Sequence, residues 1–304
     1  MTGPGVYTGR YAPSPTGPLH FGSLVAAMGS FLQARAHQGR WLLRIENIDP
    51  PREVPGAATS ILKTLERLGF EWDGPAGFQA DNSARHRDVL DELRTKGQVY
   101  ACECSRKQIE AYQAQHGLAR GVYPRLCAHK NLPAGGNCTR VHVQGSVQFD
   151  DVLQGSVRED LENDVGDFVV WRRDGLVAYQ LAVVVDDADQ GITDVVRGAD
   201  LLDNTARQIF LQQLLGFRTP GYAHLPVAVD RTGKKLSKQT HARPIDDYVP
   251  LQALLAAWEF LAQQRPDVEL SGVEDFWRWA ARHWHLSLVP PVSTRPATLQ
   301  GVEP

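Results

Sequence analysis

Residues 13–23, PSPTGPLHFGS, place a histidine between a predicted strand and a predicted helix. Three prolines and a glycine exclude a regular element over 13–18, so this stretch is predicted to be a loop. A helix that begins here would offer free N–H groups and a partial positive charge to a phosphate. Gly22 would let the backbone approach such a ligand, and His20 could donate to a phosphoryl oxygen. Taken alone, the segment also fits a tight strand-to-helix turn with an incidental histidine.

A second candidate is the basic stretch 234–238, KKLSK, which follows a predicted turn at 230–233. It contains three of the seven lysines in the chain. A mobile lysine loop that faces a phosphate site would suit a triphosphate substrate. Read alone, the stretch also fits a solvated basic loop.

All four cysteines lie between residues 102 and 138. In a cytosolic protein such a cluster indicates a metal site more than disulfides. Structural zinc usually takes four ligands, preferably sulfur or imidazole. From the residues alone the candidate set is Cys102, Cys104, Cys127 and Cys138, with His129 as a competitor. Four buried reduced thiols are the alternative.

The composition limits the classes of protein in which these candidate sites could occur. The chain has 304 residues, of which 42% are hydrophobic and 22% charged, and a formal net charge of −3. These values are typical of a soluble enzyme and exclude a disordered, collagen-like or coiled-coil chain. We expect neither a secretory signal nor a membrane span, and we expect a cytosolic location. The slight acidity argues weakly against bulk nucleic-acid binding but permits a local basic face.

Hydrophobic periodicity predicts the elements that position these residues. The predicted helices are 23–37, 54–69, 84–97, 203–215, 249–264 and 273–284. The predicted strands are 6–12, 40–48, two strands within 165–187 and an extended stretch at 222–229. The apolar run Leu181–Val185 is predicted to be a strand buried on both faces. Strands that alternate with helices predict a parallel α/β sheet.

At this point several motifs together resemble a known family. PSPTGPLHFGS and KLSK resemble the HIGH and KMSKS signatures of class I aminoacyl-tRNA synthetases. RIENID at 44–49, VVVDD at 183–187 and VRGADLL at 196–202 resemble the glutamyl branch. The resemblance covers about residues 8–245. Only 66 residues follow Lys238, too few for the anticodon-binding region of glutamyl-tRNA synthetases, so the chain resembles the short paralogues of that branch, the glutamyl-Q tRNA(Asp) synthetases.

The resemblance implies a reaction in two steps. Glutamate and ATP would form glutamyl-adenylate, and the glutamyl group would pass to the queuosine base at the wobble position of tRNA(Asp). The implied partners are ATP, L-glutamate and tRNA(Asp) carrying queuosine, with no membrane, and we expect a monomer. Three alternatives stay open: a truncated glutamyl-tRNA synthetase that charges a tRNA 3′ end, a HIGH-type nucleotidyltransferase acting on a small molecule, and a catalytically inactive tRNA-binding paralogue.

The resemblance also implies the roles of individual residues. His20 and Lys238 would be catalytic and, with Gly22, would bind ATP. The implied glutamate pocket consists of Arg10, Ser14, Glu46, Tyr179 and Arg197. An arginine can bind a carboxylate bidentately, and Glu46 can pair with the substrate ammonium. Asp186 and Asp187 receive no role at this stage.

The implied fold is α/β: a class I synthetase Rossmann-type parallel sheet with an inserted zinc-binding module and a short C-terminal helical region. The two halves of the catalytic domain would be 1–99 and 161–222. The inserted zinc-containing acceptor-binding module would be 100–160. The KLSK loop and helical region would be 223–289, before a flexible tail at 290–304.

The resemblance gives the metal site a different fourth ligand. It implies one structural zinc ion bound by Cys102, Cys104, Tyr123 and Cys127, with Cys138 as the second choice for the fourth position. Mg²⁺ is expected to accompany ATP, with no ligands predicted.

Overall fold

The computed structural model describes residues 5–118, 121–230, 232–236 and 243–297. The α-helices are α1 Phe21–Ala36, α2 Ala57–Arg67, α3 Ser83–Thr95, α4 Arg106–His116, α5 Tyr179–Asp189, α6 Thr205–Leu215, α7 Pro250–Phe260 and α8 Val273–His283. The strands are β1 Thr8–Tyr11, β2 Arg40–Ile45, β3 Gly77–Phe78, β4 Val99–Cys102, β5 Cys138–Val141, β6 Ser146–Asp151, β7 Gly155–Asp160, β8 Val169–Trp171, β9 Asp194–Gly198, β10 Gly221–Leu225, β11 Val227–Val229 and β12 Thr294–Pro296. Within these ranges, none of the helices combines the length and apolarity that crossing a bilayer requires.

Parallel strands carry the predicted site residues. β1, β2 and β3 pair in parallel, and β10 lies parallel between β9 and β6. The two groups meet where the Thr193 amide donates to the Thr8 carbonyl at 2.9 Å and the Thr8 amide donates to Thr193 Oγ1 at 2.8 Å. The predicted parallel α/β architecture is therefore present, and the carboxyl ends of β1, β2, β9 and β10 share one edge.

Helix α1 forms the centre of the larger hydrophobic core. Its buried residues pack with those of β2, α2 and the C-terminal helices α7 and α8. The tryptophan-rich helix α8 contributes to this core through Trp277, which is buried and donates its indole N–H to the Leu68 carbonyl at 2.7 Å. This tryptophan stabilises the packing of the C-terminal helices on the body.

The segment rich in cysteine forms an antiparallel sheet of its own, in the order β4, β5, β8. Strand pairing crosses the predicted boundaries of the insert. β6, inside the predicted 100–160 module, pairs with β10 of the parallel group, whereas β8, beyond that module, pairs with β5 inside it. The exact division into domains stays a prediction, since the insert and the catalytic sheet share strands.

One prediction of local structure is wrong. Leu181–Val185 lies within helix α5, not in a strand. All five side chains are buried, and a run that is apolar on every side is equally compatible with a helix enclosed by core; burial outweighs the modest helix penalty of valine. In the predicted tail 290–304, Thr294–Pro296 pairs in parallel with β11, and residues 298–304 lie outside the described residues, so the flexibility of the tail stays a prediction.

The packing of α1 on β10 depends on Gly29. A Cβ atom on Gly29 would lie 2.5 Å from Cδ1 of Leu225, a side chain with no exposed surface. We expect Gly29→Ala to lower the free energy of unfolding by about 1–3 kcal/mol through overpacking, measured by urea denaturation.

Gly135→Ala provides the matched control, because a Cβ atom there meets open space. Its free energy of unfolding should stay within about 0.5 kcal/mol of wild type. Equal stability of the Gly29 and Gly135 variants would show that the α1–β10 contact has room to adjust.

Candidate active site and cysteine cluster

A cavity of about 290 Å³ lies at the carboxyl edge of the parallel strands. It brings together all the predicted ligand-binding residues that the structure describes. These are Arg10, Ser14, His20, Gly22, Glu46, Tyr179 and Arg197. The eighth predicted residue, Lys238, lies outside the described residues. Lys235 and Leu236, from the same basic stretch, line the cavity.

The loop between β1 and α1 brings His20 to one end of the cavity. His20 is the N-cap of α1 with extended backbone, and its carbonyl accepts hydrogen bonds from the amides of Ser23 and Leu24 at 2.9 and 3.1 Å. A Cβ atom on Gly22 would lie 3.2 Å from the His20 ring. The glycine therefore leaves room for the imidazole beside a helix N-terminus, an arrangement that suits a phosphate.

A buried charge network lies behind the cavity. Arg10 donates from Nε to Asp187 at 3.2 Å, and Arg44 donates to the same carboxylate at 2.7 Å. Arg44 also lies 3.3 Å from Glu46. All four side chains are at most one-tenth exposed. Asp187 thus fixes both guanidinium groups, and Arg44 in turn contacts Glu46.

The two carboxylates of this network respond differently to burial. Burial raises the pKa of Asp187, but Arg10 and Arg44 outweigh it, so the pKa lies below its ordinary value. Burial raises the pKa of Glu46 above its ordinary value, although Arg44 and Arg10 oppose the shift. An ammonium ligand beside Glu46 would therefore favour its ionised form.

The neighbouring carboxylate of Asp186 points to a different set of partners. It accepts hydrogen bonds from Gln79 at 2.7 Å and Asn82 at 2.6 Å, and its oxygen lies 2.8 Å from His86 Nε2. On a helix, adjacent residues face different directions, so Asp187 contacts both arginines while Asp186 ties α5 to α3 and lies 3.9 Å from Arg44 Nε. Sequence reasoning left both without a role. The signal was present as two adjacent acids directly after an apolar run.

Arg197 on β9 belongs to a second buried chain of hydrogen bonds. Its Nε donates to His224 Nε2 at 3.0 Å, and its Nη2 donates to Thr205 Oγ1 at 2.9 Å. His224 Nδ1 lies 2.6 Å from Asp151. Nη1 of Arg197 is buried without a hydrogen-bond partner among the described residues. An anionic oxygen of a ligand would satisfy it.

Sequence reasoning missed Asp151 and His224. They lie on β6 and β10, on either side of a long stretch of chain that includes β9. No local motif links them, because their proximity comes only from strand pairing.

Tyr179 is the first residue of α5 and lines the cavity. Burial and the nearby Glu46 raise the pKa of its phenol, so the hydroxyl stays protonated and can donate to a ligand. Its position at a helix start differs from the strand context that the sequence predicted. Ser14 is exposed at the cavity wall.

The cysteine segment forms a compact cluster at the end of the β4–β5 pair. The Sγ atoms of Cys102, Cys104 and Cys127 all lie within 4.8 Å of one another. The Tyr123 hydroxyl lies 3.2 Å from the Cys102 sulfur and 3.5 Å from that of Cys104. These four side chains are the set that the family resemblance implies, and the three sulfurs form a group that could hold a metal ion.

The two competing ligands lie differently. Cys138 is directly opposite Cys102 across the strand pair, and its sulfur donates to the Cys102 carbonyl at 3.1 Å. Neither Cys138 nor the exposed His129 belongs to the group of three sulfurs in the described part of the chain. The Arg140 guanidinium stacks 3.8 Å from the centre of the Tyr123 ring, which places a cation beside this group of candidate ligands.

Comparison with known proteins agrees with this geometry. The model of the family "tRNA synthetases class I (E and Q), catalytic domain" matches residues 6–250. The parallel fold, the cavity at its carboxyl edge and this match define a class I aminoacyl-tRNA synthetase-like ligase.

Relatives narrow the assignment. A glutamyl-Q tRNA(Asp) synthetase of Aromatoleum aromaticum is 54% identical over 93% of this chain and 90% of its own length. One of Dechloromonas aromatica is 52% identical over 93% of this chain and 96% of its own. The chain belongs to the glutamyl-Q tRNA(Asp) synthetase family.

Solved structures support the fold. A glutamate tRNA ligase of Elizabethkingia meningosepticum superposes with a TM-score of 0.79 at 21% identity, over 97% of this chain and 67% of that one. The glutamate-tRNA synthetase of Elizabethkingia anophelis gives 0.79 at 22% identity, over 96% and 68%. The predicted class I synthetase fold is confirmed.

The Asp187 network makes a prediction about stability. We expect Asp187→Asn to lower the free energy of unfolding by about 3–5 kcal/mol, because Arg10 and Arg44 lose a buried counter-charge. Chemical denaturation near neutral pH measures this. Because the pKa of Asp187 is depressed, its contribution is complete above the unfolded-state pKa and is lost as the pH falls through the lower native-state value. As the pH falls through the native-state pKa of Asp187, the free energy of unfolding of Asp187→Asn should therefore decrease less steeply than that of wild type.

Asp189→Asn serves as the control. Asp189 is on the same helix, pairs with Arg85 at 3.4 Å and is partly exposed. Its loss should change stability by about 0–1 kcal/mol. If the Asp187 variant proved as stable as this control, the network would not be the main anchor of the arginines.

Proposed function

We propose that the protein activates glutamate with ATP and transfers the glutamyl group to the queuosine base at the wobble position of tRNA(Asp). The observation that carries glutamate activation is the charge pattern of the cavity. Buried Arg10 and Arg197 and buried Glu46 line one space, which complements a ligand with two carboxylates and one ammonium. The names of the relatives support the acceptor.

The proposed binding mode follows from the partners of these side chains. Arg197 has a buried Nη1 available for a carboxylate oxygen. Arg10 is held by Asp187, and Glu46 is available to pair with the ammonium. Tyr179 and Ser14 contribute hydroxyl groups to the same space. These five residues are the proposed glutamate pocket.

The proposed activation step is an in-line displacement. A carboxylate oxygen of glutamate attacks the α-phosphorus of ATP, and the bond to pyrophosphate breaks. Positioning and neutralisation of phosphate charge supply most of the catalysis. We assign His20 and Gly22 to the ATP phosphates and Lys238, from the predicted signature, to the developing negative charge. Mg²⁺, expected with ATP, would neutralise further charge.

In the proposed transfer, a ring hydroxyl of queuosine attacks the carbonyl carbon of glutamyl-adenylate. An ester bond forms, the bond between the carbonyl carbon and the phosphate oxygen breaks, AMP leaves, and the hydroxyl proton is released. The module of residues 100–160 is the proposed contact region for the RNA. Because the cavity is built from one chain, a monomer suffices for this reaction, which we place in the cytoplasm.

We further propose that the cysteine cluster holds one structural zinc ion. Three cysteine sulfurs, which bind zinc as thiolates, are donors that zinc prefers, and the Tyr123 oxygen beside them would complete the usual four ligands. Cys102, Cys104, Cys127 and Tyr123 would hold the ion, which would fix the module at the end of β4. Cys138 and Arg140 would lie outside the ligand set.

The function is tested by incubating the protein with ATP, labelled glutamate and one of three RNAs. These are tRNA(Asp) with queuosine, tRNA(Asp) without it, and tRNA(Glu). We expect label only on the first. After digestion to nucleosides, the label should migrate with queuosine and not with the 3′-terminal adenosine.

Label on the 3′ adenosine of tRNA(Glu) would instead show ordinary tRNA charging and contradict the proposed acceptor. Glutamate-dependent exchange of pyrophosphate into ATP tests the activation step separately. If the folded protein shows no such exchange, the proposed activation of glutamate is wrong. The remaining alternatives are then an inactive RNA-binding protein and a ligase for another substrate.

The zinc proposal predicts distinct results for the two kinds of cysteine. Cys138→Ala should retain one zinc ion per chain, whereas Cys104→Ala should lose it or bind it at least tenfold more weakly. Elemental analysis and competition with a chromophoric chelator measure both. Metal loss in the Cys138 variant would favour the all-cysteine site, and Tyr123→Phe should then bind zinc as wild type does.

A further inference from the structure

The strand pairing places three polar side chains in a line that ends at the cavity. Asp151 on β6, His224 on β10 and Arg197 on β9 belong to neighbouring strands of one sheet. The side chains of Asp151 and His224 have no exposed surface, and Arg197 is 5% exposed. Buried polar groups in contact with one another must pair donors with acceptors, so the hydrogen bonds along this line have a defined order.

The order begins at Asp151. One carboxylate oxygen accepts three backbone N–H groups, from Leu153 at 3.0 Å, Gln154 at 2.9 Å and His224 at 3.1 Å. Burial raises the pKa of Asp151, but His224 and these amides outweigh it, so the carboxylate stays ionised. Its second oxygen lies 2.6 Å from His224 Nδ1. An ionised carboxylate can only accept, so Nδ1 must carry the proton.

The tautomer of His224 then determines what Arg197 meets. With Nδ1 protonated, Nε2 of the neutral ring is an acceptor, and it receives Nε–H of Arg197 at 3.0 Å. Burial lowers the pKa of His224, and Arg197 lowers it further although Asp151 opposes, which agrees with a neutral ring. In the opposite tautomer, Nε2–H of His224 would face Nε–H of Arg197, which places two donors together.

Three donors of Arg197 are therefore directed within the protein. Nε is held by His224, and Nη2 is held by Thr205 and by the Leu201 carbonyl. The remaining nitrogen, Nη1, is buried without a partner in the described residues. Fixing Nε and Nη2 leaves the planar guanidinium no freedom to turn, so the direction of Nη1 is set before a ligand arrives.

We propose that Asp151 and His224 are positioning residues that orient Arg197 to receive a carboxylate of the amino-acid substrate. Neither residue touches the substrate. The proposal rests on the proposed glutamate activation. It attributes part of the affinity for glutamate to the tautomer of His224, which is fixed by Asp151 on the neighbouring strand β6.

The test uses Asp151→Asn in the full-length protein. The three backbone donors retain the amide oxygen, so the amide NH₂ faces His224 Nδ1 and moves the ring proton to Nε2, against Arg197. The KM for glutamate in pyrophosphate exchange should rise about 10- to 100-fold, the range of one hydrogen bond to a charged group. The KM for ATP should change less than twofold.

Two further variants separate positioning from general damage. Asp150→Asn is the matched control, because Asp150 is exposed on the same strand and the substitution is identical; its kinetic constants should equal those of wild type. The double variant Asp151→Asn with His224→Gln should recover much of the glutamate affinity lost in the single variant. Glutamine has no tautomers, and its amide oxygen can take the place of Nε2.

If Asp151→Asn does not fold, His224→Gln and His224→Asn carry the test. The side-chain amide of glutamine reaches the position of Nε2, whereas that of asparagine reaches only the position of Nδ1. Only the glutamine variant can therefore accept from Arg197, and its KM for glutamate should be at least about tenfold lower than that of the asparagine variant. Equal KM values for the two, or an equal rise in the KM for ATP and glutamate in Asp151→Asn, would overturn the proposal.

A measurement on the ligand-free protein keeps this result separate from the proposed function. ¹⁵N NMR of the histidine rings, with His224 assigned by its loss in His224→Gln, should show a neutral ring protonated at Nδ1 in wild type and at Nε2 in Asp151→Asn. Protonation at Nε2 in wild type would refute the positioning role. Missing glutamate-dependent exchange in wild type, with the expected tautomer present, would refute the function and leave the orientation of Arg197 established.

Discussion

The carboxylate of Asp187 is the interaction on which the site depends. It lies between Arg10 and Arg44 at hydrogen-bond distance, and all three groups are almost completely buried. Two guanidinium groups can occupy a dry interior only if a counter-charge accompanies them. Because Arg10 is on β1, Arg44 on β2 and Asp187 on α5, this one carboxylate also joins three elements. The cavity is therefore built around a charge arrangement that exists before any substrate binds.

Arg197, the second arginine of the cavity, is held by neutral hydrogen-bond acceptors. Among the described residues no carboxylate forms an ion pair with Arg197; a neutral histidine, a threonine hydroxyl and a carbonyl accept from its Nε and Nη2. The two arginines thus differ in net charge environment. Arg10 forms an ion pair with Asp187, while no carboxylate lies within ion-pair distance of Arg197 in the part of the chain that the structure describes. A substrate carboxylate gains more from an uncompensated guanidinium than from one that already has an anionic partner.

The sequence predicts the site residues that lie in short local motifs, but not those that come together only through tertiary structure. His20, Gly22 and Arg10 are close in sequence and belong to short motifs, so family resemblance found them. Helix α5 was predicted as a strand because its apolar run gives no amphipathic signal, and only tertiary packing decides between the two structures. Asp151 and His224 could not be predicted, since their role comes from the pairing of β6, β10 and β9. Asp187 stood within a recognised motif, but its function required knowing which side of a helix faces the arginines.

The pairing of β6 with β10 has a consequence for the modular organisation of the chain. The predicted acceptor-binding insert ends at residue 160, yet its strand β6 runs beside the catalytic strands and carries Asp151. Excision of the predicted insert would therefore remove a strand that pairs with β10 and the carboxylate that contacts His224. If residues 100–160 contact the RNA as proposed, exchange of this segment between related enzymes would transfer Asp151 together with that contact region. Under these two proposals, the contact region for the RNA and the support of Arg197 would lie on one continuous segment, so neither could be exchanged without the other.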